Sequence, residues 1–295
     1  MVQQSVTEEM LAELESSQAR GWRAHLGELI RYRFLLRNLV MRDLKVRYKN
    51  SFLGVLWSLL NPLLMMVVFS LVFTVFSAQS IRQYPVFFLV GLVPWNFFSG
   101  SLMGGTLSLA TNVNLLKKVS FPRELLPVSA LLAHLVNFLI AFGILMVFLF
   151  ASGLGLTIHA LWLPVILAAQ LILTAGLALL LSALHVFYRD VVMILDVVLL
   201  AGFFLTPIFY PLSLYGETRT IANISFVPAQ VMRWLNPMAS IVDAYRTVLW
   251  GISNEIGPAS MAPDFILRTV LTALVLFGLG YFVFRRVEHL FGEKL

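Results

Sequence analysis

The chain has 295 residues, 59% of them apolar and 12% charged, with a formal net charge of +6 and no cysteine. That balance excludes an ordinary soluble domain, in which charged residues make up about a quarter of the chain. The missing cysteines exclude disulfide and thiol chemistry, and without a GxxxxGK[ST] loop, a GxSxG elbow or a His/Cys/carboxylate cluster at ligand spacing, neither a catalytic centre nor a metal site is expected.

Residues 1–28 read as a polar, loosely held tail. Over 29–50 the pattern predicts an amphipathic helix: Arg31, Asn38, Arg42, Lys45 and Lys49 recur on one face, and Leu29, Tyr32, Leu36, Leu39 and Val40 on another. Such a helix lies on a membrane surface, its cations drawn to anionic head groups by about 1 kcal/mol each. The basic run is equally explained as an ordinary positive flank of the first span.

Residues 51–295 read as a membrane domain. Lys49 and Arg82 enclose 32 uncharged positions, Arg82 and Lys117 enclose 34, Glu124 and Arg189 enclose 64, and Asp196 and Glu217 enclose 20. A bilayer core of about 30 Å takes roughly 20 apolar residues per helix, so the fold class is all-α and polytopic. Six spans are predicted, at 52–77, 86–110, 128–152, 161–187, 191–212 and 265–284, with a break near Gly153 and Gly155 dividing the longest window. Counted over alternate loops, 16 of the 21 Lys and Arg residues fall on the side of the termini, which places both termini in the cytoplasm.

Between the second and third spans, the 111–128 loop carries Lys117, Lys118, Phe121, Pro122, Arg123 and Glu124. Pro122 suits the first turn of a short helix able to dock into a partner's groove, and on spacing alone a plain surface loop reads equally well. Within the spans the one acid is Asp196, seven positions after Arg189; it either pairs with that arginine near the interface or serves substrate passage. The segment 213–264 is too apolar for a free loop. Asn236 suits an N-cap, Pro237 the first helical position and Gly251 the stop, predicting a helix of about 21 Å, too short to span. Its apolar face holds Ile241, Val242, Tyr245, Val248 and Leu249, while Asp243, Arg246 and Thr247 lie off it. This helix is predicted to re-enter the outer leaflet, with residues 221–234 as its opposing arm, broken near Pro228.

Four stretches occur in order: RDLKVRYKNSFLGVLWSLLNPLLMM at 42–66, LLKKVSFPRELLPVS at 115–129, FYRDV at 187–191 and LNPMASIVDAYR at 235–246. Together they resemble the permease subunits of ABC-type polysaccharide and teichoic-acid exporters, over about residues 25–290. The resemblance implies a homodimer of this chain paired with two copies of a separate ATPase, which would hold ATP and Mg, exporting a lipid-linked glycan such as O-antigen across the inner membrane. It implies that the 29–50 helix lies at the cytoplasmic interface among membrane lipids, and that Lys117, Lys118, Phe121, Pro122, Arg123 and Glu124 contact the ATPase. No nucleic-acid partner, and no cofactor in this chain, is expected. Sugars stack their C–H faces on rings, so the pathway candidates are Phe69, Phe73 and Phe76 on the first span, Trp95, Phe97 and Phe98 on the second, and Phe203, Phe204 and Tyr210 on the fifth; rings facing lipid or packed in the core are the alternative. Asn236, Pro237, Ile241 and Tyr245 are the outer-gate candidates, or else belong to an interfacial helix that stabilises the dimer. Export of another amphiphile, a glycolipid or a drug, and a passive channel or scaffold remain open on the sequence.

Overall fold

The computed structural model describes residues 31–49, 51, 54, 56–76, 81–119, 121–212, 216, 218–221, 224–251, 257–260 and 262–294. The expected 1–28 tail lies outside the described residues. The helices are α1 Arg33–Tyr48, α2 Leu56–Phe76, α3 Tyr84–Thr111, α4 Val113–Lys118, α5 Leu125–Ala151, α6 Leu163–Phe187 after a 3-10 turn at Ile158–Trp162, α7 Val191–Leu205, α8 Pro228–Leu235, α9 Pro237–Leu249, α10 Pro263–Val287 and α11 Phe291–Lys294. Strands β1 Arg219–Ile221 and β2 Ile224–Phe226 form a small antiparallel hairpin.

Among the described residues, four helical stretches are long and apolar enough to cross a membrane: Tyr84–Thr111, Leu125–Ala151, Ile158–Phe187 and Asp264–Lys294. Shorter apolar helices are Leu60–Phe73, within α2, and α7. The fold is thus that of a polytopic helical membrane protein. α3 sits at its centre, buried along most of its length and packed by α2, α5, α6, α7 and α9. By contrast α5, α7 and α10 keep large apolar side chains on the outside, among them Val147, Val197 and Val275. In lipid this is the solvated state of such a face, and helices associate through close packing rather than through the hydrophobic effect. The contact of α6 with α10 shows this: a Cβ on Gly176 would strike the backbone of Phe277, and one on Gly280 would strike the Gly176 carbonyl. Only glycines allow the two backbones to meet there.

Two boundaries differ from the sequence reading. The fifth span, predicted over 191–212, ends as a helix at Leu205, and Thr206 is extended with φ −89° and ψ 136°. Pro207 is the cause, because a proline disfavours helical backbone in the residue before it and lacks its own N–H; Pro211 follows. In the predicted 111–128 loop the short helix lies at Val113–Lys118, ahead of Pro122 instead of beginning there, and α5 already starts at Leu125. Asn112 separates α3 from α4 with φ −116° and ψ 28°, so the chain bends early and residues 121–124 form only the turn into α5.

The elements gather at two ends. At one, Leu39 of α1, Leu109, Phe121, Leu125, Val186, Phe284 and Phe291 form a single buried cluster. At the other lie the hairpin, α8, α9 and the link after α5, where the Gln83 amide donates to the Ser152 carbonyl (2.5 Å) and the Trp250 indole to the Arg82 carbonyl (3.0 Å).

Candidate functional site

Most of the aromatic residues expected to line a pathway meet in one place. Phe69 stacks on Phe88 with ring centroids 4.7 Å apart and lies 6.1 Å from Phe203 and 5.9 Å from Phe209. Phe73 stacks on Tyr84 at 5.0 Å, Trp95 reaches Phe203 at 6.3 Å, Phe204 touches Phe203 at 5.4 Å, and Tyr210 touches Phe209 at 5.0 Å. Six of the candidates thereby form one aromatic wall joining α2, α3, α7 and the segment after α7, with Phe204 exposed and Trp95 buried. Phe98 adjoins it through Trp95 at 5.6 Å. Phe97 does not join; it faces Phe138 of α5 at 5.3 Å. Phe76 lies in α2, with its side chain outside the described residues. The residues that complete the wall, Tyr84, Phe88 and Phe209, were missed by the sequence reading, although the doublets Phe87–Phe88 and Phe209–Tyr210 repeat the Phe203–Phe204 signal.

Beside this wall stand the residues expected of an outer gate. Asn236 caps α9 as expected: its Oδ1 accepts from the backbone N–H groups of Met238 (3.0 Å) and Ala239 (3.3 Å), and its Nδ2 donates to Thr206 Oγ1 (2.8 Å). Pro237 occupies the first turn, and α9 closes at Gly251, whose φ of 130° suits glycine and whose N–H returns to the Arg246 carbonyl at 2.8 Å. At 13 residues α9 reaches about 20 Å. Its opposing arm is composite: the β1–β2 hairpin, then α8 opening at Pro228, tied to α9 by Arg233 and Asp243 at 2.6 Å.

Ile241, Val242 and Tyr245 are buried, as the periodicity predicts. Arg246 is a correction. Predicted to lie off the apolar face, it is only 3% exposed, donates to the carbonyls of Ile208 (2.5 Å) and Tyr210 (3.1 Å), and lies 3.7 Å above the Phe87 ring. The backbone after α7 is not helical, and the guanidinium supplies hydrogen bonds to two of its carbonyls. A second buried link was also missed: the Tyr245 hydroxyl donates to Gln170 Oε1 (3.0 Å), and the Gln170 amide donates to the Pro94 carbonyl of α3 (2.8 Å).

At the opposite end lies the candidate coupling surface. Lys117 and Lys118 are exposed on α4. Pro122 and Arg123 are half-buried beside a cavity of about 370 Å³ that they line with Tyr32, Phe121, Arg285, Glu288 and His289. Phe121 and Glu124 are themselves buried, Phe121 in the cluster around Phe291. Arg123 Nη1 and Glu124 Oε2 are buried without a hydrogen-bond partner among the described residues. On the adjoining α1 and at its two ends, Arg31, Arg42, Lys45 and Lys49 are all exposed while Leu39 is buried, so the amphipathic division holds where it is described. Asp196 is exposed on α7 and forms no ion pair with Arg189.

The family model described as "ABC-2 type transporter" matches residues 35–250, well over half of the chain. The chain belongs to this ABC-2 type transporter family. It is similar to the "O-antigen export system permease protein RfbA" of Myxococcus xanthus, 41% identical over 223 residues that make up 76% of this chain and 83% of that protein. A protein of the same description from Klebsiella pneumoniae is 30% identical over 262 residues, 88% of this chain and 95% of its own length. The matched range runs from α1 to the end of α9, so it takes in the aromatic wall, the α8–α9 pair and the 111–128 segment, while Tyr32 and the C-terminal residues that pack against that segment lie outside it.

Proposed function

We propose that this chain is the membrane half of an ATP-driven exporter carrying a polysaccharide of the O-antigen type, attached to a lipid, across a bacterial inner membrane. The observation that carries the reading is the likeness, over 83% and 95% of their lengths, to permeases named for O-antigen export. ATP and Mg belong to a separate subunit in this reading, since the chain has no phosphate loop. Two copies of each subunit form the exporter. Six helices, α2, α3, α5, α6, α7 and α10, cross the bilayer. The asymmetry of Lys and Arg puts α1, α4 and both termini in the cytoplasm.

In this arrangement the ATPase docks against exposed Lys117 and Lys118 and the rim formed by Pro122 and Arg123, and its movement reaches α3 and α5 through the turn at 121–124. Glycan stacks on the aromatic wall, whose rings face C–H surfaces without demanding desolvation of many polar groups. The α8–α9 pair shuts the outer mouth. Affinity purification of the tagged chain from its own membranes, followed by native mass spectrometry, tests the assembly. A particle with two copies of this chain and two of a phosphate-loop ATPase is expected; a particle without any ATPase would sink the reading.

A further inference from the structure

In the second turn of α10, Arg268 is held where three helices meet. Its Nη2 donates to Ser240 Oγ of α9 (2.9 Å), and that hydroxyl donates to the Arg233 carbonyl of α8 (3.1 Å). The guanidinium lies 5.0 Å from the centre of the Trp234 ring and 5.4 Å from that of Phe265, and the Arg233 guanidinium lies 5.1 Å from the same Phe265 ring. Two cations therefore flank one ring.

Arg233 is paired with Asp243 at 2.6 Å, whereas Arg268 forms no ion pair among the described residues. Asp264, one turn earlier on α10, is exposed and likewise unpaired among them. A hydroxyl and two rings position the Arg268 guanidinium without cancelling its charge, and its remaining N–H groups keep the planar fork that matches phosphate oxygens. The surroundings are those of a bilayer interface. Trp234 and Leu235 are exposed at the end of α8, as befits a ring between head group and hydrocarbon. Below Arg268, Leu271, Val275 and Leu279 follow at spacings of three, four and four, all exposed on one face of α10. From residue 268 to residue 279 that face runs about 16 Å, which matches one leaflet of a hydrocarbon core about 30 Å thick. The arrangement offers a cation at the head of an acyl-chain track.

We propose that Arg268, with Arg233 beside it, binds the phosphate of a membrane phospholipid whose acyl chain lies along Leu271, Val275 and Leu279. Such a lipid bridges α8 and α10 and so ties the α8–α9 pair to the bilayer surface. Its place in the outer leaflet rests on the orientation proposed above; the phosphate site rests on these contacts alone.

The test uses the full chain alone in dodecyl maltoside, titrated with dioleoylphosphatidylglycerol and followed by native mass spectrometry, with dioleoylglycerol and glycerol 3-phosphate as competitors. Saturable retention of one lipid per chain is expected. Arg268→Ala should weaken it about tenfold, the scale of one lost hydrogen bond to a charged group, and Arg268→Lys less, since the charge stays and the fork is lost. Trp234→Ala should also weaken it, while Arg286→Ala, which removes an exposed cation at the other end of α10, should not. Both competitors should displace the lipid only at much higher concentration than its own. Unchanged affinity in Arg268→Ala overturns the site, and an equal loss in Arg286→Ala reduces it to surface charge and overturns it too. Displacement by dioleoylglycerol at matching concentration would make it a tail groove, and by glycerol 3-phosphate a soluble-phosphate site; either overturns the proposal. Should Arg268→Ala fail to elute as the wild type does, Arg268→Lys and Trp234→Ala decide, and wild-type affinity in both overturns it. Neither ATPase nor export enters the measurement, so a negative result leaves the export reading standing, and a missing ATPase partner leaves the site standing.

Discussion

Arg246 shows how a single side chain can hold an irregular segment in an apolar setting. Its two bonds to the Ile208 and Tyr210 carbonyls join α9 to the segment that follows α7. Removing the donor leaves buried acceptors unmet, at about 1–3 kcal/mol for each such group. Arg246→Met is therefore expected to lower the unfolding midpoint of the purified chain by several degrees, followed by far-UV circular dichroism in detergent. Tyr245→Phe removes the hydroxyl that satisfies Gln170 Oε1 and is expected to destabilise by about 1–3 kcal/mol in the same assay; an unshifted midpoint would mean that this link does not hold α9 to α6. The Phe203–Phe204 doublet and the cap at Asn236 were legible because each is a local signal. The burial of Arg246 was not, because helical periodicity sorts residues by the faces of their own helix, whereas its acceptors lie 36 and 38 positions earlier in the chain.

Among the elements, α6 and α10 make the closest approach, and it depends on Gly176 and Gly280. Gly280→Ala places a methyl group against the Gly176 backbone. The expected cost is about 1–3 kcal/mol of overpacking, read as a lower unfolding midpoint, with Gly278→Ala, which meets nothing within 4 Å, as the unaffected neighbour. At the proposed coupling end, exposure separates two kinds of residue. Reversing the exposed pair, Lys117→Glu with Lys118→Glu, is expected to reduce ATPase copurification severalfold at an unchanged unfolding midpoint. Glu124→Lys instead buries an ammonium beside Arg123, so the loss it causes reads as misfolding; a normal midpoint in that variant would show the site to be more open than the 4% exposure of Glu124 indicates. The long helices were readable from charge-free windows, which set element existence well. The end of α7 and the place of α4 do not follow from that signal: the apolar run continues past Pro207, and the bend at Asn112 leaves no strong composition signal.

For the whole molecule, the buried clusters divide the work: one holds α1, the start of α5 and the C-terminal segment together at the proposed coupling end, and the other joins α2, α3, α7 and α9 around the aromatic wall. α3 and α6 contribute to both, which gives a mechanical route from one end to the other. The central claim is that this route moves polysaccharide outward. The most direct measurement is the surface polysaccharide of the host after deletion of the gene for this chain, probed on intact and lysed cells with an antibody against the glycan. The account predicts that the glycan disappears from intact cells, accumulates inside, and returns to the surface when the chain is restored. Undiminished surface glycan in the deletion strain would contradict it.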